Sequence, residues 1–216
     1  MKIILLGPPG SGKGTESENL IKDLHIPQIS TGDIFRSNVK AKTPLGEEAK
    51  AYINEGKLVP DELVINLVID RLKKDDHKKG YILDGFPRTI KQAEVLDKVL
   101  KNDNDKIDYV LYFDVPKETL IKRIAGRRVC KNCGTVFHVQ SKPPEKEGIC
   151  DICKGDLILR KDDKEVTANK RIDIYNTETL PLIDYYEKKG LLKSFKADIG
   201  IKELHKEILK TIGVQS

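Results

Sequence analysis

Residues 7–15 read GPPGSGKGT and follow directly on the apolar run MKIILL. This stretch matches the phosphate-binding loop G-x-x-x-x-G-K-[ST] at both glycines and at Lys13. It departs from the pattern at the next position, where Gly14 stands in place of the usual hydroxyl residue and Thr15 follows one place later. Whether the loop binds phosphate therefore depends on the sequence on either side of it.

The flanking segments are those that a phosphate-binding loop requires. Residues 3–6 are uniformly apolar and partly β-branched, which predicts a parallel strand buried on both faces. After the loop, Leu20, Ile21 and Leu24 recur at helical spacing. In a strand–loop–helix unit the backbone N–H groups and the helix N-terminus converge on an anion. We therefore predict that the loop binds phosphate, and we reject a plain glycine turn.

Length and composition predict one main domain. A chain of 216 residues is long enough for a single α/β domain with small insertions. The net charge of +5 and the pI near 8.8 suit polyanionic ligands without singling out nucleic acid. The apolar runs are shorter than the roughly 18 residues of a membrane span, and the first run is too short for a signal peptide. We expect a cytoplasmic monomer with no nucleic-acid or membrane partner.

Strand and helix patterns alternate along the chain. The predicted strands are residues 3–6, 26–30, 81–84, 107–115 and 191–198. A helix is predicted after residue 15, and helical patterns follow residue 30 through about residue 53. Further helices are predicted over 61–72, 89–100 and 117–125, in a long stretch after residue 163 to residue 189, and from about residue 201. This alternation predicts a parallel sheet that is covered by helices on both faces, with right-handed crossovers.

Residues 127–163 interrupt the alternation and contain every cysteine of the chain. Cys130 and Cys133 form one C-x-x-C pair, and Cys150 and Cys153 form a second pair 16 residues later, a spacing typical of a zinc site. Four thiolates give tetrahedral coordination with no open position, so the predicted zinc is structural. Disulfides, which a cytosolic chain disfavours, a redox pair and an iron–sulfur site are the alternatives.

Arginine is scarce in this chain, which has 31 lysines but 8 arginines. A planar guanidinium suits bidentate phosphate recognition, so the positions of the arginines indicate candidate ligand contacts. Six of them lie near predicted strand ends or at the borders of the cysteine-bearing segment, where open parallel sheets bind ligands. These are Arg36, Arg88, Arg123, Arg127, Arg160 and Arg171.

Six stretches together resemble the adenylate kinase family in its bacterial form with a zinc-bearing lid: GPPGSGKGT, STGDIFR, LVPDELV, DGFPRT, RIAGRR, and RKDD followed by KRIDIY. They occur in the family's order over essentially the whole chain. The resemblance accounts for Gly14, because nucleoside monophosphate kinases read GKGT there and hold Mg²⁺ mainly through phosphates and water. Glu16 is a departure, since many members have glutamine at that position.

The resemblance implies an α/β fold, with a P-loop parallel β-sheet core that is flanked by helices. It also implies a small zinc-binding lid insertion and a helical segment that binds the nucleoside monophosphate. The implied divisions are a core of residues 1–29, 60–126 and 164–216, a nucleoside-monophosphate segment of 30–59, and a lid of 127–163.

The resemblance also implies the site residues. The implied catalytic residues are Lys13, Arg88, Arg123, Arg160 and Arg171. ATP would be bound by Gly10, Ser11, Gly12, Lys13, Gly14, Thr15, Arg123 and Arg127, and contacted through backbone or apolar surface by Val136, Phe137 and Ile199. AMP would be bound by Thr31, Arg36, Lys57, Leu58, Val59, Gly85, Phe86, Pro87, Arg88, Gln92, Arg160 and Arg171. Asp84 would orient water on the magnesium ion.

The implied reaction is Mg·ATP + AMP ⇌ 2 ADP, with Mg²⁺ bound to the nucleotide and Zn²⁺ in the lid. A kinase for UMP, CMP or GMP is the nearest alternative, but Thr31 and Gln92 resemble the AMP-specific pattern. A zinc-ribbon nucleic-acid-binding protein is disfavoured because Phe137 is the one aromatic residue near the knuckles, whereas base stacking usually needs several. A GTPase is disfavoured because Ile172 replaces the aspartate of N-K-x-D.

Overall fold

A computed structural model describes residues 1–74 and 78–214 of the chain. The described residues form eight strands: β1 (Lys2–Leu6), β2 (Gln28–Ser30), β3 (Tyr81–Asp84), β4 (Tyr109–Asp114), β5 (Arg127–Cys130), β6 (Val136–His138), β7 (Leu157–Ile158) and β8 (Leu192–Lys196). Five of these strands make a parallel sheet of order β2-β3-β1-β4-β8, and the other three make an antiparallel sheet of order β6-β5-β7. The prediction of a parallel-sheet core is confirmed.

Helices cover both faces of the parallel sheet. They are α1 (Lys13–Leu24), α2 (Thr31–Ala41), α3 (Pro44–Asn54), α4 (Asp61–Leu72), α5 (Ile90–Asn102), α6 (Lys117–Gly126), α7 (Glu165–Ile174), α8 (Leu182–Glu187) and α9 (Ile201–Thr211). No helix in the described ranges is long and apolar enough to cross a membrane.

The central strand β1 shows why the sheet is buried on both sides. Successive side chains of a strand point to opposite faces, and Ile3 and Leu5 belong to one hydrophobic cluster while Ile4 and Leu6 belong to the other. All four are at most 2% exposed. The continuous apolar run at the N-terminus is therefore explained by two cores, one on each face of the sheet.

The long helical stretch predicted from after residue 163 to Lys189 is helical for most of its length, but it is divided. The structure has a 3₁₀ turn at Lys161–Asp163, then α7, a π-helical turn at Tyr175–Thr179, and α8. Pro181 has no backbone N–H to continue the α-helical hydrogen bonds, and Leu180 N instead donates to Tyr175 O five residues back, at 2.9 Å. The interruption follows from the proline.

Two other predicted boundaries shift for similar reasons. The helical pattern that was predicted to run through residue 53 divides into α2 and α3, because Lys42 has a φ of 53° and Thr43 caps a new helix that begins at Pro44. The second strand begins at Gln28 rather than at residue 26, directly after Pro27, which lacks a backbone N–H.

Residues 127–163 stand apart from the parallel sheet, and we call them the lid. Their antiparallel sheet encloses a small core of Cys130, Phe137 and Cys150, against which Leu157 packs. Such a small core needs a further constraint to be stable, which the cysteine cluster could supply.

Candidate active site

The phosphate-binding loop connects β1 to α1 and presents open space at two glycines. Gly12 is the N-cap of α1 with a φ of 102°, and no side chain caps the helix there. A Cβ built on Gly12 or Gly14 would meet nothing within 4 Å, whereas at Gly10 it would lie 2.8 Å from a side-chain carbon of Ile124. The uncapped first turn of α1 therefore faces a space that an anion could fill.

Lys13 folds back over this loop. Its Nζ donates to Gly7 O at 2.6 Å and to Pro8 O at 2.9 Å. Burial lowers the pKa of Lys13 to about 8, with Asp84 acting in the opposite direction and Arg88 adding to the decrease. An anion beside Lys13 would favour its charged form.

The turn after β3 positions Arg88. Its Nε donates to Gly85 O at 2.9 Å, and Thr31 Oγ1 donates to the same carbonyl at 2.8 Å. Gln92 Oε1 accepts from Arg88 N at 2.8 Å. Burial lowers the pKa of Arg88 to about 10, and the charge of Arg171 adds to this effect. The residues predicted on the acceptor side at residues 31, 85, 88 and 92 are thus brought together.

Asp61 supports this group, although the sequence analysis assigned it no role. It accepts a hydrogen bond from Gln92 Nε2 at 2.7 Å and others from Thr89 Oγ1 at 3.1 and 3.2 Å. Gln92 is 1% exposed, so its amide is held between Asp61 and the backbone of Arg88. Asp61 lies within the stretch LVPDELV, but its contact with Gln92 is a tertiary one that the stretch does not display.

Two carboxylates hold the arginines at the border of the lid, and neither was predicted. Asp163, whose side chain is fully buried, accepts from Arg127 Nε at 2.8 Å and from Arg171 Nη1 at 3.0 Å. Asp162 Oδ2 lies 3.0 Å from Arg171 Nη1. Burial alone would raise the pKa of Asp163, but hydrogen bonds and charge from Arg127 outweigh it and lower the pKa. Both acids lie in the stretch RKDD.

Arg160 lies near this cluster with an unsatisfied donor. Its Nε is buried and has no hydrogen-bond partner among the residues that the structure describes. Burial lowers the pKa of Arg160 to about 10, and the charges of Arg36 and Arg127 add to the effect. A buried donor without a partner is costly, so an anionic ligand fits this position.

The other predicted contacts differ in their exposure and in their partners. Arg36 Nη2 pairs with Asp33 Oδ1 at 2.6 Å, and Arg123 Nη1 donates to Ala197 O at 2.8 Å. Lys57 is exposed and pairs with Glu55. Among the remaining predicted contacts, the buried residues are Ser11, Val59, Phe86, Pro87 and Phe137. The partly buried residues are Leu58, Val136 and Ile199. Phe137 packs in the core of the lid, so a nucleotide would meet its backbone.

Asp84 lies at the carboxyl end of β3, where the sequence predicted it. Its Oδ2 accepts from Gln28 Nε2 at 3.2 Å. Its charge acts on Lys13, Arg88 and Arg127. A carboxylate at this place fits a water bound to a magnesium ion, because Mg²⁺ usually keeps several waters in phosphate sites.

The lid contacts both neighbouring parts of the chain. Lys40 Nζ of α2 donates to Lys131 O in the first cysteine knuckle at 3.1 Å. Lys142 Nζ of the lid lies 2.9 Å from Glu18 Oε2 of α1. The lid therefore contacts both α1 and α2.

The four cysteines form one cluster in which every Sγ lies within 4.8 Å of the others. Cys130 Sγ and Cys153 Sγ are 3.3 Å apart, and Cys133 Sγ and Cys150 Sγ are 3.6 Å apart. These distances exceed a disulfide bond of about 2.05 Å. They are close to the roughly 3.8 Å expected between sulfurs on a tetrahedral zinc ion. The donor set and its geometry fit zinc.

Comparison with known proteins identifies the family. A family model described as adenylate kinase matches residues 5–191. The chain belongs to the adenylate kinase family. It is 56% identical over 215 residues to an adenylate kinase of Caldicellulosiruptor bescii, with all of both chains covered. It is 51% identical over 213 residues to one of Clostridium botulinum, with 99% of both chains covered. The resemblance based on motifs is confirmed, and the chain is a phosphotransferase of this family.

Proposed function

We propose that the chain transfers the γ-phosphoryl group of Mg·ATP reversibly to AMP, giving two ADP. The observation that carries this proposal is the convergence of Lys13 with three guanidiniums. Burial is the main reason that the pKa of Lys13 is lowered, Asp84 acts in the opposite direction, and the charges of Arg88, Arg171 and Arg127 lower the pKa further. Several cations in one cleft repel one another, and polyphosphate ligands would neutralise them.

The cleft has two sides that suit a donor and an acceptor. On the donor side, the phosphate loop and the first turn of α1 would bind the ATP phosphates, together with Arg123 and Arg127. On the acceptor side, Thr31 and Arg88 share the carbonyl of Gly85. Arg160 and Arg171, from the border of the lid, would bridge to the acceptor phosphate.

The chemistry requires positioning and charge neutralisation rather than a covalent intermediate. Lys13 and Arg88 would stay with the transferring group and stabilise the charge that develops on its oxygens. Mg²⁺ bound to ATP supplies further neutralisation, and Asp84 would orient its water. The contacts of Lys40 and Lys142 with the rest of the chain support a lid that would exclude bulk water from the reaction.

The proposal includes a structural zinc ion at the four thiolates, because a closed Cys₄ site has no position for substrate. The proposal also includes a monomer that acts on ATP, AMP and ADP.

A coupled assay of ADP formation with AMP, CMP, UMP and GMP tests the reaction. We expect AMP to be the strongly preferred acceptor. Strong activity with UMP and none with AMP would refute the proposal and support a kinase for another nucleoside monophosphate. Competition between DNA and a bis-adenosine polyphosphate tests the nucleic-acid alternative, because an adenylate kinase should bind the dinucleotide and ignore DNA.

A further inference from the structure

His138 lies on β6, where the lid meets the end of α6, and its contacts fix the position of its proton. Its Nδ1 accepts hydrogen bonds from the backbone N–H groups of Gln140 and Ser141, both at 3.1 Å. A ring nitrogen that accepts hydrogen bonds carries no proton, so the ring is neutral with its proton on Nε2. One tautomer of one protonation state therefore fits this structure.

The ring packs directly against Gly126, the last residue of α6. A Cβ built on Gly126 would lie 2.4 Å from Nε2 and 2.6 Å from Cε1 of His138. The ring thus occupies the space that any other side chain at residue 126 would fill. Val139 N also donates to Gly126 O at 3.0 Å. The imidazole and the glycine together join the lid to the end of α6.

His138 also organises the turn that follows β6. The backbone groups of His138 and Lys142 pair in both directions, with N to O distances of 2.9 and 3.2 Å. The turn carries Lys142 to its ion pair with Glu18 of α1. Because α1 begins at the phosphate loop, the turn links the hinge of the lid to the donor side of the cleft.

The surroundings of the ring disfavour a positive charge. Burial lowers the pKa of His138, the backbone of Lys122 acts in the opposite direction, and nearby arginines lower it further. These arginines are Arg123 of α6 and Arg127 and Arg128 of β5. Nε2 is buried and makes no hydrogen bond of normal geometry to the described residues. Across the turn, Lys142 is the partner of Glu18, so the carboxylate of Glu18 is paired with a lysine.

We propose that His138 is a positioning residue that seats the lid on the core as the neutral Nε2–H tautomer, and that proton uptake at Nδ1 releases this hinge. A proton on Nδ1 would point at the backbone N–H groups of Gln140 and Ser141, which now donate hydrogen bonds to that nitrogen. A histidine whose pKa is lowered by folding stabilises the folded arrangement above its ordinary value of 6.5. That stabilisation is lost as the pH falls through the lowered value.

The first test uses the unmodified zinc-loaded protein and needs no activity. Imidazole nitrogen NMR at pH 7.5 should show His138 as the neutral Nε2–H tautomer, and titration should place its pKa below 6.5. A charged ring or the Nδ1–H tautomer at pH 7.5 would overturn the proposal.

The second test compares two substitutions by limited proteolysis of the lid at pH 7.5 and 5.5, with a protease that is active at both. His138→Asn keeps an acceptor near Nδ1 and does not titrate, so its lid should be cleaved at the same rate at both pH values. His138→Gln lacks that acceptor and should be cleaved readily at both. The unmodified lid should be cleaved faster at pH 5.5 than at pH 7.5, and His25→Asn, an exposed control, should behave like it. The same pH dependence in the unmodified protein and His138→Asn would refute the idea.

A kinetic readout rests on the proposed function and is kept separate from the NMR and the proteolysis. For His138→Gln at pH 7.5 the KM for ATP should rise about tenfold, while the KM for AMP should change less than about twofold. Equal increases in both KM values would indicate a general loss of structure and count against a positioning role. Inactivity with AMP would contradict the proposed function and leave the tautomer result standing.

Discussion

Replacing Asp163 by asparagine would test the arrangement that orders the arginines at the border of the lid. The side chain of Asp163 is fully buried and accepts hydrogen bonds from both Arg127 and Arg171. Asparagine keeps the shape but removes the charge and turns one oxygen into an N–H₂ group that faces a guanidinium. Breaking a buried ion pair costs about 3–5 kcal/mol. We expect the lower end, about 3 kcal/mol, because one amide oxygen still accepts.

Thermal unfolding measures this loss. For a chain of this length, about 3 kcal/mol corresponds to a decrease in Tm of about 6–12 °C. Asp70→Asn is the matched control, because Asp70 pairs with Lys73 on an exposed helix face, and its effect should stay within about 0.5 kcal/mol. The kcat of Asp163→Asn should fall about 100-fold, because the two arginines lose their positions.

The pH dependence follows from the lowered pKa of Asp163. A carboxyl group of this kind contributes stability above its ordinary pKa of 3.8, and that contribution is lost as the pH falls through the folded-state value. The difference in Tm between the unmodified protein and Asp163→Asn should therefore be constant above about pH 5 and shrink in stronger acid. Equal Tm values for Asp163→Asn and Asp70→Asn, with kcat unchanged, would refute the reasoning.

Three further predictions concern the transferring phosphate, the metal and the helix pair α1–α9. Arg88→Lys keeps the charge but loses the planar fork, so kcat should fall about 100-fold, which corresponds to about 3 kcal/mol in activation free energy. Arg71→Lys, in the last turn of α4, should leave kcat nearly unchanged. Equal effects of the two substitutions would contradict the role of Arg88. Cys130→Ser, or zinc removal by a chelator, should lower Tm and make the lid sensitive to protease. Most of kcat should remain at a temperature where the protein stays folded. A thousandfold loss of turnover with normal nucleotide binding would show that the metal is catalytic. His205 Nδ1 lies 2.7 Å from Glu16 Oε1, and although burial alone would lower the pKa of His205, its bonds to Glu16 and its other carboxylate partner raise it. The stabilisation by this pair is therefore complete at pH values just below 6.5 and is lost as the pH rises through the raised pKa. The difference in Tm between the unmodified protein and His205→Asn should therefore shrink in alkali. A difference that grew there would contradict this assignment.

Much of the fold was predictable because its signals are local. The apolar run before the phosphate loop, the cysteine spacing and the alternating strand and helix patterns each depend on neighbouring residues. The break at Pro181 was missed because helical periodicity continues on both sides of it. The start of α3 was missed although Thr43 and Pro44 together signal the beginning of a helix.

The supporting carboxylates were harder to predict, because their partners are distant in sequence. Asp61 and Gln92 are 31 residues apart, and Arg127 and Asp163 are 36 apart. Sequence patterns find the groups that face a ligand, since motifs are built around them. The groups that hold those residues in place are set by tertiary contacts, which one sequence does not display.

The balance of charge in the cleft connects these observations. The cations that act on one another there are Lys13, Arg36, Arg88, Arg127, Arg160 and Arg171. Asp162 and Asp163 hold Arg127 and Arg171 from the side of the lid border, whereas the buried Nε of Arg160 is left unpaired by the described residues. A fold optimised for stability alone would not bury mutually repelling cations. The carboxylates therefore fix where the cations lie, and the remaining repulsion favours a polyanion in the cleft. An arginine that loses its carboxylate should weaken both phosphate binding and the fold.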